Sequence, residues 1–262
     1  MSARRWLQQA AAAYDRLRPP PTGLVVLIYH RVGGGTDSAV DLPVEVFEAQ
    51  MTLLAATRPV LTLDDAIDQL AAGHTPDGVV ITFDDGTSDY TEIAVPVLAR
   101  HGLHSTLYAA TGFIDSGNPM PWGAPSATWE GLRGAVATGL VTIGSHTRDH
   151  PLLDRLGRGE VAEQLDASIT SITEHIGAAP RHFAYPKAIA PNVVAEIAVR
   201  ARFASAALAG SRVNIAGDDL HRLGRTPVQR SDSPEVFAAK VHGGLRLEGA
   251  VRDRVTRWRA KR

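Results

Sequence analysis

The stretch VVITFDDG, residues 79–86, places two adjacent acids and a glycine directly after five apolar or β-branched residues. Val79 to Phe83 has the composition of a strand that is buried on both faces, as in parallel sheets. A carboxylate at the end of such a strand needs a partner, such as a metal ion or an arginine. We therefore interpret Asp84 and Asp85 as candidate functional residues, with a simple Asp-Gly turn as the alternative.

Three other short apolar runs are also followed by polar residues. VVLIY (25–29) precedes His30, LVTIG (140–144) precedes Ser145 and His146, and HFAY (182–185) precedes Pro186 and Lys187. Helical patterns lie between the runs, so strands and helices alternate along the chain, which predicts an α/β fold with a parallel barrel. In parallel barrels the carboxyl ends of the strands share one rim. We expect these polar residues to form one site there.

Length and composition limit the class of protein. The chain has 262 residues and no cysteine, so a bound metal would need His, Asp, Glu or backbone oxygen ligands. Its length suits a single barrel domain. The predicted organisation is an N-terminal helical arm with a proline linker over residues 1–22, the barrel over residues 23–245, and a basic C-terminal helix or tail over residues 246–262.

Basic residues are concentrated at the two ends. Residues 1–20 carry a net charge of +3 and residues 248–262 carry +4, so the remainder carries −8 within a total of −1. The ends could make peripheral contact with an anionic membrane surface, or they could be solvated helix faces. Because the body is not basic, we expect no nucleic-acid partner. The sequence shows neither a signal-peptide core nor a membrane-length apolar run, so the expected location is cytoplasmic, with membrane-peripheral contact as a variant.

The stretch GSHTRDH, residues 144–150, contains two histidines four residues apart. On a helical turn, this spacing would bring His146 and His150 to the same face. Together with Asp85 they offer two nitrogens and one oxygen, which leaves coordination positions open for water and substrate. The alternative is a chance pair of surface histidines.

In combination, ITFDDG (81–86), GSHTRDH (144–150) and RHFAYP (181–186) resemble the motifs of the NodB-homology polysaccharide deacetylases. The resemblance extends over about residues 23–228. It implies a distorted (β/α) barrel of about seven parallel strands and a metal-dependent enzyme that removes acetyl groups from N-acetylated sugars. The implied partner is an N-acetylated sugar, oligosaccharide or polysaccharide.

The same resemblance implies a role for each motif residue. Asp84 corresponds to the catalytic base, and Asp85, His146 and His150 correspond to the metal ligands. The expected cofactor is a divalent metal, with Zn²⁺ as the first choice.

The catalytic acid is assigned to His30 by resemblance. Most members of the family carry this histidine at the end of a strand near the C-terminus of the domain. After Asp219 this chain has only His221 and His242, and neither follows a long apolar run. The start YHRV (29–32) resembles the circularly permuted poly-N-acetylglucosamine deacetylases, in which the acid histidine comes first. A core histidine bonded to the backbone is the alternative.

Ala184 stands where the commonest family pattern has an arginine that holds the catalytic base. Arg225, in HRLGRTPV, resembles an arginine that relatives with the FAYP variant keep, and we predict that it orients Asp84. Arg181 is the second candidate for this role.

Lys187 and Ala188 replace the usual Tyr-Gly pair of the third motif. By resemblance, the backbone N–H of Lys187 donates to the oxyanion, and its side chain could favour an anionic substrate. Tyr185 and Trp122 are the predicted substrate contacts, Trp122 because it lies in a Gly- and Pro-rich segment expected to form a loop over the rim.

Three classes of function are compatible with these residues. The first is a carbohydrate N-deacetylase, which the ligand set and His30 favour. The second is a metal-dependent amidase that acts on a non-sugar amide, because a fold does not determine its substrate. The third is a catalytically silent sugar-binding homologue, which the altered third motif permits.

Overall fold

The computed structural model describes residues 19–245 together with Ala11, Tyr14, Asp15 and Leu17. Within them, seven parallel strands form the main sheet: β1 (Leu24–Tyr29), β4 (Gly78–Phe83), β5 (Ser105–Ala109), β6 (Val141–Ser145), β7 (His182–Ala184), β8 (Ser205–Ala207) and β9 (Thr226–Pro227). Their order across the sheet is β8, β7, β6, β5, β4, β1, β9. Two short strands, β2 (Arg31–Val32) and β3 (Asp41–Leu42), pair separately. The predicted α/β fold with about seven parallel strands is confirmed.

Eight α-helices connect and cover the strands in the described residues: α1 (Val44–Thr57), α2 (Leu63–Ala71), α3 (Val95–Arg100), α4 (Thr111–Ser116), α5 (Trp129–Ala137), α6 (Arg158–Ile176), α7 (Val193–Arg200) and α8 (Pro234–Val241). A π-helical turn, Tyr90–Ala94, leads into α3. Four of the helices begin at a side chain that accepts a hydrogen bond from a backbone N–H of the first turn: Thr62, Thr128, Asn192 and Ser233. Such caps define where these helices start after the strand-end loops.

The segment that ends in β9 connects the two edges of the sheet. Thr226 and Pro227 pair with β1, whereas Leu223, a few residues earlier, forms a parallel bridge to Ala207 of β8. One short stretch therefore contacts β1 and β8, the first and last of the other six strands, and the sheet closes into a barrel whose last strand is fragmentary. This is the distorted barrel that the family resemblance implies.

Two apolar layers lie on opposite faces of the strands, because successive side chains of a strand alternate in direction. One face packs against outer helices such as α1, through Val25, Leu27, Tyr29, Val79, Ile81 and Phe83. The other face fills the barrel interior and meets the apolar side of α2, through Leu24, Val26, Val80, Tyr108, Ala184, Leu223, Leu63, Ala66, Ile67 and Leu70. Helix α2 therefore closes one end of the barrel.

Arg181 identifies which end α2 closes. Its guanidinium pairs with Asp64 at 2.6 Å and with Asp68 at 2.7 Å, both on α2. Because Arg181 directly precedes β7, the closed end is the one at which the strands begin. Asp84 follows the end of a strand and lies at the opposite end of the barrel. Arg181 is therefore not placed to orient Asp84, and the prediction of Arg181 as the second candidate is wrong.

In the part of the chain that the structure describes, no helix is both long enough and apolar enough to cross a membrane. The predicted arm over residues 1–22 lies largely outside the described residues, and the predicted tail over residues 246–262 lies entirely outside them. Both boundaries stay predictions.

Candidate metal and catalytic site

Asp84 directly follows β4, and its carboxylate forms a buried ion pair with Arg225. Arg225 Nη1 donates to Asp84 Oδ1 at 2.6 Å, and Nη2 donates to Oδ2 at 2.9 Å. Burial alone would raise the pKa of Asp84, but the charges of Arg225 and His146 and the Arg225 hydrogen bonds hold that pKa well below its usual range. Asp84 is therefore an ionised carboxylate in a fixed orientation, as a proton acceptor requires.

Arg225 is itself held on several sides. Its Nη1 donates to Thr82 Oγ1 at 3.2 Å, its Nε donates to the Leu208 carbonyl at 3.3 Å, and its Cζ lies 5.2 Å from the centre of the Tyr108 ring. Gly144 leaves room for that ring, since a Cβ there would lie 2.7 Å from Tyr108 Cδ1. These supporting residues were not predicted from the sequence, although Thr82 lies two positions before Asp84 on the same face of β4.

Asp85, His146 and His150 bring one oxygen and two nitrogens together at the rim. Asp85 Oδ1 lies 3.8 Å from His146 Nε2 and 3.5 Å from His150 Nε2, and the three ligand atoms all lie within 4.8 Å of one another. Bonds of about 2.1 Å to a tetrahedral zinc ion would separate neighbouring ligand atoms by about 3.4 Å. The donor types and their spacing therefore fit a divalent metal ion.

The orientation of His146 and the protonation of His150 also suit metal binding. His146 Nδ1 donates to the Ala184 carbonyl oxygen at 2.7 Å, so Nε2 is the ring nitrogen that faces Asp85. Burial, followed by the charge of His146, lowers the pKa of His150 to about 3. His150 is therefore a neutral imidazole, the form that ligates metals.

The two histidines lie on a loop rather than on a helical turn. His146 directly follows β6, and the loop reverses through positive φ angles of 69° at Thr147 and 56° at His150. Thr147 Oγ1 accepts a hydrogen bond from His150 N at 3.0 Å, which stabilises the reversal. The expectation of a helical turn is wrong, and the loop itself directs both rings toward Asp85.

Left-handed backbone recurs at the residues around this site. Asp85, Lys187 and Ala188 have φ angles of 77°, 55° and 53°. Such conformations cost about 1–2 kcal/mol in residues other than glycine and tend to cluster at functional sites. The φ of Ala188 gives a physical reason for the glycine in the family pattern at this position.

Replacing Ala188 with glycine should increase the free energy of unfolding by about 0.5–1 kcal/mol. Glycine removes a left-handed strain of about 1–2 kcal/mol but adds about 0.5–1 kcal/mol of conformational entropy to the unfolded chain. Urea denaturation measures the difference. The matched control is Ala190→Gly in the same loop, which lacks a positive φ and should lower stability. A loss of stability in Ala188→Gly would contradict the strain.

These residues line one open groove of about 990 Å³ at the rim. The sequence-predicted residues His30, Asp84, Asp85, His146, His150, Trp122 and Lys187 all lie along it. His30 Nδ1 is buried and has no hydrogen-bond partner among the described residues. Trp122 is half exposed, and its ring centre lies 6.1 Å from that of His150. The structure thus brings the four strand ends to one site.

Two sets of residues differ from the sequence expectation. Tyr185 is 1% exposed and packs against Phe183, with ring centres 5.2 Å apart, in a core cluster outside the barrel. Because Ala184 faces the interior, its neighbours face outward, and Tyr185 is not placed to contact a substrate in the groove. One apolar wall of the groove was not predicted from the sequence; it is formed by Ile28, Leu208, Ala209 and Pro227. The position of Ile28, two residues before His30, was the available signal.

Comparisons with known proteins point to one family and one fold. A family model described as "Polysaccharide deacetylase" matches residues 72–206. This range contains Asp84, the three metal-ligand candidates and Lys187, whereas His30 and Arg225 lie outside it. The Bacillus subtilis (strain 168) protein YxkH is 31% identical over 139 residues, which are 52% of this chain and 46% of YxkH. This chain therefore spans about half the length of that curated relative.

Two solved structures share the fold over most of this chain. IcaB from Ammonifex degensii is 28% identical, with a TM-score of 0.74 over 87% of this chain and 98% of that chain. The Streptococcus pyogenes deacetylase PplD, solved in complex with acetate, is 19% identical, with a TM-score of 0.76 over 84% of this chain and 99% of that chain. The likeness to PplD concerns the fold alone.

Proposed function

The chain belongs to the polysaccharide deacetylase family, and on this premise we propose that it is a metal-dependent hydrolase that removes N-acetyl groups from an N-acetylated sugar or polysaccharide. The observation that carries the proposal is the convergence of two units in one groove. One is the buried ion pair of Asp84 and Arg225, and the other is the metal-ligand set beside it. An ionised carboxylate next to such a set is the arrangement that amide hydrolysis by water requires.

Asp85, His146 and His150 are the residues that would hold the divalent ion, for which we propose Zn²⁺. When bound there, a divalent ion would supply Lewis acidity, which would polarise the acetyl carbonyl and make water easier to deprotonate. Histidine and carboxylate ligands also accept other divalent ions of the first transition row.

The residues of the chain carry the proton transfers. Asp84 accepts a proton from the attacking water as the water oxygen bonds to the acetyl carbon. Asp84 can do so because each of its carboxylate oxygens keeps a lone pair in addition to the one that accepts from Arg225. The Lys187 backbone N–H donates to the developing oxyanion. His30 then protonates the nitrogen as the carbon–nitrogen bond breaks, because an amine anion is too poor a leaving group. The products are acetate and the free amino sugar.

Acetate release from N-acetylglucosamine oligomers tests the proposed function. We expect the purified protein to release acetate, and we expect a chelator to abolish the release. Binding of the oligomers without release would favour the silent sugar-binding homologue. Turnover of other amides without turnover of these sugars would favour the non-sugar amidase.

Replacing His30 with alanine should lower acetate release from the sugar amide by about 100-fold or more, the usual contribution of a positioned general acid. Metal content should stay unchanged, because His30 is outside the ligand set. The activated ester 4-nitrophenyl acetate should lose much less activity, since its leaving group needs no proton. The exposed His74→Ala is the matched control. Equal losses with the amide and the ester would remove His30 from the acid role.

A further inference from the structure

Exposed aliphatic side chains are concentrated on α7, beside the groove. Three of the six exposed large apolar residues found in the described part of the chain lie there: Val193, Val194 and Ile197, which are 71%, 44% and 63% exposed. Val193 and Ile197 are one turn apart on the same face, and Ala195 and Val199 occupy the opposite, buried face. Isolated exposed aliphatic residues are ordinary, but a cluster marks a binding surface. We call Val193, Val194 and Ile197 the α7 patch.

The α7 patch follows the groove lining along the chain. Ile189 and Ala190 line the groove, and α7 begins at Val193, two residues further on. The first turn of α7 lies near the groove, because Nδ2 of its N-cap residue Asn192 donates to the carbonyl of Asp154, which also lines the groove, at 3.1 Å. We call the apolar wall of the groove together with the α7 patch the apolar track.

One of the cations that line the groove has no carboxylate partner among the described residues. Arg31, Arg222 and Lys187 all line the groove. Arg31 Nε pairs with Asp89 at 3.4 Å, and Arg222 Nη2 pairs with Glu196 at 2.6 Å. Across the described ranges, no carboxylate oxygen lies within 4.0 Å of the Lys187 ammonium. The charge of Lys187 is therefore available to an anionic group of a ligand.

We propose that the substrate is an amphiphile: an N-acetylated sugar joined through an anionic linkage, such as a phosphodiester, to a hydrocarbon chain. The acetamide lies at Asp84 and the metal-ligand set, the anionic linkage lies against the Lys187 ammonium, and the hydrocarbon chain follows the apolar track to the α7 patch. This inference rests on the proposed deacetylase function and specifies its substrate class.

The order of features along residues 187–197 supports this assignment. The cation Lys187, three groove-lining aliphatic residues (188–190) and an exposed aliphatic helix face succeed one another along the chain. This order matches that of the anionic linkage and the hydrocarbon chain in the proposed substrate. At the α7 patch itself, an extended polysaccharide would need hydrogen-bond partners or aromatic faces. The α7 patch offers only aliphatic side chains, which gain free energy by covering another apolar group.

Four synthetic substrates separate the charge from the chain. They are the methyl and octyl glycosides of N-acetylglucosamine and the phosphodiesters of the same sugar with methanol and octanol. Acetate release is measured with the metal-loaded protein below the micelle concentration of each octyl compound. We expect the octyl phosphodiester to exceed the methyl glycoside in kcat/KM by about 100-fold. The phosphodiester charge and the octyl chain should each contribute about tenfold.

Three variants test the assigned contacts. Val193→Ser combined with Ile197→Ser should lower the octyl-to-methyl ratio of kcat/KM by about tenfold, and Lys187→Gln should lower the phosphodiester-to-glycoside ratio by about tenfold. The control is Ile215→Ser, which changes an exposed aliphatic residue beside Asn214, a residue paired with Leu24 at the far end of the barrel. It should leave both ratios unchanged. Thermal unfolding shows whether each variant is folded.

The outcomes distinguish this inference from the proposed function. Three results would overturn the amphiphile assignment and still leave the protein a deacetylase. They are equal kcat/KM for the four substrates, faster turnover of N-acetylglucosamine oligomers than of the octyl phosphodiester, and ratios of kcat/KM that the variants do not change. If no sugar releases acetate, the proposed function fails, and binding still tests the surface. Octyl phosphate should then bind at least about tenfold more tightly than inorganic phosphate, and Val193→Ser with Ile197→Ser should remove that difference. Equal binding of the two phosphates would overturn the inference.

Discussion

Replacing Asp84 with asparagine should lower acetate release from N-acetylglucosamine oligomers by about 1,000-fold or more, near the upper range for loss of a general base. The amide side chain has the same shape but accepts no proton from water. Asp84 is not one of the three metal-ligand candidates, so bound metal, measured by elemental analysis, should stay near the wild-type amount. The loss should appear in kcat rather than in substrate binding.

Two controls separate the base from other effects of the substitution. Asp85→Asn should lose bound metal as well as activity, because Asp85 supplies the oxygen ligand. Asp37→Asn removes one negative charge from a fully exposed position on the same groove and should change kcat less than about twofold, since screened surface charges act weakly. Near-normal turnover in Asp84→Asn would remove Asp84 from the mechanism.

Replacing Arg225 with methionine should lower the free energy of unfolding by about 3–5 kcal/mol, the usual effect of leaving one member of a buried ion pair without its partner. Arg225 is fully buried and Asp84 is 3% exposed, so solvent offers little compensation. Activity at a temperature where the variant is folded should also fall, because the carboxylate loses its orientation. Chemical denaturation followed by circular dichroism measures the stability.

The matched control is Arg212→Met. Arg212 pairs with Asp218 at 2.8 Å, but its side chain is 42% exposed, so the loss of stability should stay below about 1 kcal/mol. The double variant Arg225→Met with Asp84→Leu should recover most of the stability without activity, because it removes both buried charges. If the double variant were no more stable than Arg225→Met, the uncompensated charge would not explain the loss.

The strands were predictable because buried parallel strands are continuous apolar runs. The predicted run over residues 25–29 lies within the strand Leu24–Tyr29, and the predicted strand over residues 140–144 is shifted by one residue to Val141–Ser145. The gathering of polar strand ends at one rim follows from parallel topology alone. This topological rule is why residues far apart in sequence could be assigned to one groove.

The remaining features depend on local conformation that the composition of the segment does not determine. The direction of the Tyr185 side chain follows from the register that turns Ala184 inward. The reversal between His146 and His150 depends on left-handed backbone at non-glycine residues, which the sequence pattern does not indicate. β9 is too short to show a periodic pattern, so the contact of Arg225 with Asp84 could be inferred only through resemblance.

Titration of metal-stripped protein with Zn²⁺, with acetate release from N-acetylglucosamine oligomers as the readout, tests metal-dependent deacetylation directly. We expect no release from the stripped protein and a rise that ends at about one ion per chain, since one set of three ligands is present among the described residues. His150→Ala should remove tight binding and activity together. Full activity of the stripped protein, or activity of His150→Ala equal to that of the wild type, would contradict a metal-dependent mechanism at this site.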